Sequence, residues 1–260
     1  MSIVLANAAF GDDPSLWPLP PASTPHELWL RAVVAGGQGR YGSAMADLDG
    51  VCRLQRGGPL VSLAHSTRAS FLRQLGWHDR ARGWDGLAIA LAGSDPESGA
   101  DAFIGLAADA LGVGRFAASA TALRRVGELL RRPASPRLPV RLAWVSAELA
   151  MARGDGAAAV AHAERGVELA AAFGSARHTV KSDVVLAAAL CSAGDVDGSR
   201  RVADVALRDT GRLGTIPLRW ALACLLADIG TSAHTAAEVL TIRNECAATV
   251  RRWGGDLADH

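Results

Sequence analysis

Three short stretches of the sequence have residue types and spacings that could do chemistry. The stretch GVGRFA, from Gly112 to Ala117, satisfies the pattern G-x-G-x-x-A, which binds dinucleotide phosphates where it follows a β-strand and opens a helix. His234 and Glu238 stand four residues apart, a spacing that places two potential metal ligands on one face of a helix. His78 stands next to Asp79 in the stretch GWHDRA.

Each stretch also has a structural interpretation, and the sequence favours it. The residues before GVGRFA read DAFIGLAADAL and have helical periodicity, so the strand that a dinucleotide site requires is missing. Two polar residues four apart are common on any solvated helix face, and adjacent residues on a turn point apart. The sequence contains no G-x-x-x-x-G-K-S/T, H-E-x-x-H or G-x-S-x-G pattern. We therefore expect no cofactor, no metal and no enzymatic activity.

GVGRFA belongs to a longer regularity, a glycine that returns about every forty residues. The intervals between successive glycines are 37, 38, 40, 40 and 36 residues. Self-similarity at this period is typical of helical repeat proteins. The glycines, which follow helical segments and suit the left-handed turn that ends a helix, are Gly39, Gly76, Gly114, Gly154, Gly194 and Gly230.

Small residues recur on both sides of these glycines. An alanine stands seven residues before each one, and a small residue stands five residues after it. Such positions are expected where two antiparallel helices approach most closely, because a larger side chain would push them apart. Asp155 and Asp195 directly follow a turn glycine, where a carboxylate can cap the next helix. The two columns are Ala32, Ala69, Ala107, Ala147, Ala187 and Ala223, then Ala44, Ala81, Ser119, Ala159, Ser199 and Thr235.

This arrangement resembles the tetratricopeptide repeat, whose turn commonly reads G-D/R-Y/F-x-x-A. GRYGSA at Gly39 and GRFAAS at Gly114 match it closely, and the resemblance covers roughly residues 25 to 250. The spacing exceeds the usual 34 residues. The C-terminal half is similar to the divergent repeats of large bacterial transcriptional regulators of the LuxR and antibiotic-regulator types. The resemblance implies an all-α fold, a right-handed superhelix of about six helical hairpins.

In that family the first helix of each hairpin lines a concave groove through defined repeat positions. Three of the seven tryptophans fall on position five, which is suggestive because tryptophan and arginine often anchor interfaces. The alternative is that they fill gaps between neighbouring hairpins, and both interpretations stay open. The residues that the resemblance assigns to a partner-binding groove are Trp29, Arg73, Asp101, Arg141, Trp144, Glu148, Lys181 and Trp220.

The remaining segments set the expected domain boundaries. Residues 1–24 are proline-rich, so we expect an extended N-terminal arm, followed by the repeat domain over 25–253. The proline-dense stretch 131–139 is either a hinge between two halves or a longer turn. Residues 254–260 are expected to form a frayed tail.

Composition narrows the class of partner and the compartment. The formal charge is +1, so direct nucleic-acid binding is not expected, although paired arginines leave it as a minority reading. The start of the chain lacks a basic signal-peptide region and the four cysteines form no CxxC pair, which predicts a cytoplasmic protein without membrane contact. Of the 27 basic residues only Lys181 is lysine, which is typical of a GC-rich, actinobacterial-type genome.

The functional expectation is recognition. The sequence favours a regulatory scaffold or adaptor that binds another protein or a peptide in the groove of the superhelix. The alternative is a sensor of a small molecule or signalling peptide within a transcriptional regulatory system.

Overall fold

The computed structural model of the protein describes residues 2–132 and 134–258, and within these ranges it contains thirteen helices and no strand. The all-α prediction is confirmed. The helices are α1 (Ser2–Phe10), α2 (Pro25–Gly37), α3 (Tyr41–Leu54), α4 (Pro59–Gln74), α5 (His78–Ala92), α6 (Pro96–Gly112), α7 (Phe116–Leu129), α8 (Arg137–Ala152), α9 (Gly156–Phe173), α10 (Ala176–Ser192), α11 (Val196–Arg212), α12 (Ile216–Ile229) and α13 (Ala236–Arg252).

The six recurring glycines lie at the six turns where they were predicted. Their φ angles run from +74° at Gly114 to +91° at Gly76, a backbone region that side-chain-bearing residues rarely adopt. The predicted aspartate caps are also present. A side-chain oxygen of Asp155 accepts from the backbone N–H of Ala158 at 3.0 Å, and Asp195 accepts from that of Gly198 at 2.8 Å. The turn glycine and its cap thus end one helix and start the next.

The small-residue columns lie where paired helices meet. All six alanines of the first column are completely buried, and so are five of the six residues in the second column. Ser199 ties the two columns together, because its hydroxyl donates to the carbonyl of Ala187 at 2.7 Å. Thr235 is the exception. It is exposed and caps α13 in a reciprocal capping box with Glu238, a role that its T-x-x-E spacing also fits.

Consecutive helices pack against one another along the chain. Each turn glycine joins a first helix to a second helix, and these pairs are α2/α3, α4/α5, α6/α7, α8/α9, α10/α11 and α12/α13. The first helix of each pair also packs on the first helix of the next pair. The six first helices therefore form one continuous layer, which carries the candidate site.

The N-terminal segment differs from the extended arm that was expected. Residues 2–10 form helix α1, because the sequence between Ser2 and Phe10 is rich in alanine and other apolar residues that can pack on the repeats. Leu5, Ala8 and Ala9 are buried, and α1 contacts both α2 and α10. Within residues 2–24, only residues 11–24, which hold the prolines, lie outside a helix. The arm is therefore part of the packed domain.

The C-terminal tail is also more ordered than expected over residues 254–258. The backbone N–H of Ala258 donates to the carbonyl of Leu75 at 2.8 Å, and the indole N–H of Trp77 donates to the carbonyl of Asp256 at 2.6 Å. These bonds fix the tail on the turn of the second helix pair, between α4 and α5. Residues 259 and 260 of the predicted tail lie outside the described residues.

The non-helical break at the proline-dense stretch 131–139 is shorter than its sequence suggests. Helix α8 begins at Arg137, so Pro139 lies in its first turn, where a proline is tolerated because no intrahelical donor is lost. Pro133 lies outside the described residues. Helices α6 and α8 pack directly across the break.

Over residues 2–132 and 134–258, no helix has both the length and the apolar character needed to cross a bilayer.

Candidate functional site

The layer of first helices lines a cavity of about 400 Å³, here called the main cavity. Every first helix contributes to its lining, and α1 contributes Phe10. Its lining combines aromatic and aliphatic side chains with basic and acidic ones. Residues that represent the six helices in chain order are Trp29, Phe71, Ile104, Trp144, His178 and Leu218.

Seven of the eight residues predicted for the groove line this cavity. Trp220 does not. It is half-buried on α12, where Leu218 faces the cavity. Two residues further along, at about 100° per residue, Trp220 is turned roughly 200° around the helix axis. The structure therefore does not bring Trp220 together with the other seven, which are Trp29, Arg73, Asp101, Arg141, Trp144, Glu148 and Lys181.

The two tryptophans of the lining both fill space between helix pairs and face the cavity. Trp29 is almost completely buried, and its indole N–H donates to Thr67 Oγ1 at 3.0 Å. Trp144 is half-buried, and its indole N–H donates to Ser182 Oγ at 2.8 Å. Each bond joins the first helix of one pair to the first helix of the next. Trp144 is the one with more surface left for a ligand.

The sequence analysis missed an aromatic cluster, most of which lines the cavity. The His178 ring stacks on Trp144, with ring centroids 5.4 Å apart, and meets the edge of Phe173 at 5.0 Å. Phe10 packs against Trp29 at 5.6 Å and His178 at 6.2 Å. Phe10 lies outside the repeats, and His178 precedes the repeat positions that line the groove in the resembled family, so neither fell within the pattern.

His178 is held neutral by its surroundings. Its pKa lies well below the ordinary value because it is buried, and the nearby charges of Arg177, Arg137 and Arg141 add to this effect. Its Nδ1 lies 2.9 Å from Ser175 Oγ, a pairing that in type resembles a nucleophile and its base. Ser175, however, is fully buried and does not line the cavity. The pair therefore orients the imidazole ring.

The charged residues of the lining follow the repeat, and so does Glu97, which pairs with one of them. Glu97, Arg137 and Arg177 each stand 17 residues before a turn glycine, and Asp101, Arg141 and Lys181 each stand 13 residues before one. Equivalent positions on neighbouring first helices pair with each other. Arg137 donates to Glu97 at 3.2 Å, and Arg141 forms an ion pair with Asp101. Arg137 also reaches Asp101, at 2.9 Å.

Three further ion pairs hold cationic side chains of the lining. Arg73 is bound by two completely buried carboxylates, those of Asp85 and Asp109, the second at 2.9 Å. Lys181 Nζ lies 3.7 Å from Glu148 Oε1. The predicted charged residues therefore occupy the lining largely as mutual partners, which fixes their positions before any ligand arrives.

Arg177 differs from the other cations of the lining. Within residues 2–132 and 134–258 it makes no ion pair, and its buried Nε has no hydrogen-bond acceptor. Burial, and after it the charge of Arg137, lowers the pKa of Arg177 to about 10, so the side chain stays cationic at neutral pH. Sequence reasoning missed both Arg137 and Arg177, although their shared offset from the turn glycine was a signal.

The structure shows the surroundings of the three stretches whose residue types could do chemistry. GVGRFA is the turn between α6 and α7, with helices on both sides. Glu238 binds the backbone and hydroxyl of Thr235 in its capping box. The His78 ring packs on Gly112, where an added Cβ would stand 2.2 Å from Nδ1. The described part of the chain holds no group of three or more potential metal ligands among His, Cys, Asp and Glu.

Comparison with known proteins adds no relative, because no family model matches the chain and no curated protein matches it.

Proposed function

We propose that the six helix pairs form a right-handed superhelix of the tetratricopeptide type, and that the chain is a non-catalytic binding module. The positive-φ glycines, the buried alanine column and the continuous layer of first helices support this proposal. In repeat proteins of this kind, the layer of first helices provides an extended, preorganised binding surface.

The observation that carries the proposal is the convergence of all six first helices on one cavity with a mixed aromatic and cationic lining. Its volume of about 400 Å³ lies within the range of small-molecule sites, which is about 300–1,000 Å³. Helix α1 covers part of the first-helix layer with Phe10. The remaining space suits a small molecule or the end of a peptide better than a whole docked helix. We therefore favour a ligand sensor that passes a binding event to a regulatory partner.

A second candidate is the adaptor that binds another protein. Helix α1 supports it, because this nine-residue helix already packs against both α2 and α10. A partner helix of similar apolar character would meet a compatible surface if α1 moved away.

The test is to purify the protein from its native host and analyse it by native mass spectrometry, as wild type and as the variants Trp144→Ala and Trp220→Ala. Trp220 is the matched control, since it is a half-buried tryptophan outside the cavity lining. A sensor predicts a bound small molecule in the wild type and in Trp220→Ala, and its loss in Trp144→Ala. One dominant co-purifying protein would favour the adaptor. A chain that carries neither would count against both candidates.

A further inference from the structure

Charged residues recur at equivalent positions of neighbouring first helices. The last of them, Arg177, makes no ion pair within the described residues. Glu97 on α6 meets Arg137 on α8, and Arg177 on α10 is the equivalent residue one repeat later. At the neighbouring repeat position, Lys181 on the same helix is paired with Glu148. Arg177 is therefore the one cation of the main-cavity lining that meets no carboxylate within the described residues.

The surroundings of Arg177 do not replace the missing carboxylate. Its side chain packs on Gly37, where an added Cβ would stand 3.1 Å from Cδ of Arg177. Its guanidinium carbon lies 6.0 Å from the centre of the Phe10 ring, and Arg137 approaches the same ring at 5.9 Å. A cation in such a partly desolvated, apolar environment favours an anionic partner more strongly than one in water.

The start of helix α10 adds to this preference. Arg177 lies in the first turn of α10, and the N-cap residue Ser175 makes no side-chain cap bond there. The Ser175 hydroxyl is paired with His178 instead. The backbone N–H of Ala176 donates to the carbonyl of Gly11 at 2.9 Å, but no side chain caps the helix. The partial positive charge of this N-terminus therefore lies next to a guanidinium that makes no ion pair within the described residues.

We propose that the main cavity binds an organic monocarboxylate, whose carboxylate pairs with the guanidinium of Arg177 and whose apolar body lies against Phe10, Trp29 and Trp144. This inference rests on the proposed function, namely that the cavity binds a ligand. A planar carboxylate matches the donor geometry of arginine. One negative charge also balances the one cation of the lining that is unpaired among the described residues, whereas a phosphate monoester would bring about two.

The experiment is isothermal titration calorimetry with two acids, 3-phenylpropanoate and octanoate, and with their primary amides. The amides keep the shape of the acids and remove the charge. The wild type is expected to bind at least one of the acids at least tenfold more tightly than the matching amide. Arg177→Gln is expected to bind acid and amide with similar affinity. The control Arg124→Gln, which changes an exposed arginine on α7 outside the main-cavity lining, is expected to keep the wild-type preference.

Circular dichroism of Arg177→Gln checks that the helices are intact, and Arg177→Lys, which keeps the charge, should retain part of the preference for the acid. Equal binding of acid and amide by the wild type would overturn the carboxylate inference and leave the proposed function standing. Absence of binding by all four probes would overturn the inference too. The native mass spectrometry described above then decides separately whether the cavity holds any ligand.

Discussion

Arg177 on α10 lies directly against the backbone of Gly37 on α2, since a Cβ atom at Gly37 would stand 3.1 Å from Cδ of Arg177. The two residues belong to the first and fifth helix pairs. Their contact brings distant repeats together at the main cavity, whose lining includes both residues. The Arg177 side chain can therefore keep this position only while residue 37 has no Cβ atom.

Gly37→Ala should therefore weaken carboxylate binding several-fold, because the new methyl group forces the Arg177 side chain to move by a few tenths of an ångström. Titration of 3-phenylpropanoate and octanoate measures the effect. The matched control is Gly83→Ala on α5, where an added Cβ meets nothing within 4 Å. That control should raise the free energy of unfolding by about 0.5–1 kcal/mol and leave binding unchanged. Unaltered binding in Gly37→Ala would mean that Arg177 is not held by this contact.

The alanine column sets how closely the paired helices approach. Ala107→Leu and Ala147→Leu should each lower the free energy of unfolding by about 1–3 kcal/mol, because both positions are completely buried and have no room for three more carbons. Arg125→Ala changes an exposed side chain on α7 and should stay within about 0.5 kcal/mol of the wild type. Urea unfolding compares them, and equal stabilities across the set would contradict the close packing.

Trp144 and Trp220 test the cavity as a binding site. Trp144→Ala should cost a bound ligand or partner about 2 kcal/mol or more, as the loss of a central aromatic anchor does. Trp220→Ala removes an indole that does not line the cavity, so affinity should change little. Affinity is measured for the ligand or partner recovered from the native host, with circular dichroism to show that helical content is retained. Similar losses in both variants would place the binding surface outside the main cavity.

Asp85 makes stability depend on pH in an unusual direction for a carboxylate. Burial and, after it, the nearby carboxylate of Asp109 raise its pKa to about 7 in spite of the ion pair with Arg73. The folded protein therefore binds a proton at Asp85 that the unfolded chain releases near pH 4. The contribution of Asp85 to stability is largest below pH 4 and decreases as pH rises to about 7.

Asp85→Asn should remove this dependence. We compare the free energy of unfolding of the variant with that of the wild type at each pH. This difference, variant minus wild type, should be at least about 1 kcal/mol more positive at pH 7.5 than at pH 4.5, since one unit of pKa shift corresponds to about 1.4 kcal/mol. Chemical unfolding at the two pH values measures this difference. Comparison at each pH removes the effect of His178, whose lowered pKa makes stability fall below about pH 6.5 in both proteins. Parallel stability profiles would show that Asp85 ionises normally in the folded protein.

The sequence alone determined the helical class, the six turn glycines and the alanine column. These features are local, because each follows from a residue's own backbone preference or from two helices that are adjacent in the chain. The turn at Gly154 and the helix cap by Asp155, for example, can be predicted without knowing any contact with the rest of the protein. Repetition of one local pattern six times made the signal strong.

The tertiary structure alone decided which residues share the cavity. Helix α1 was expected to be extended, and its packing on α10 depends on contacts between residues more than 150 positions apart, such as the bond from the Ala176 N–H to the Gly11 carbonyl. The absence of an ion pair at Arg177 among the described residues and the rotation of Trp220 away from the lining have the same origin. Residue spacing fixes periodicity along one helix, whereas the relative rotation of helices from distant repeats is fixed by the packing of many side chains at once.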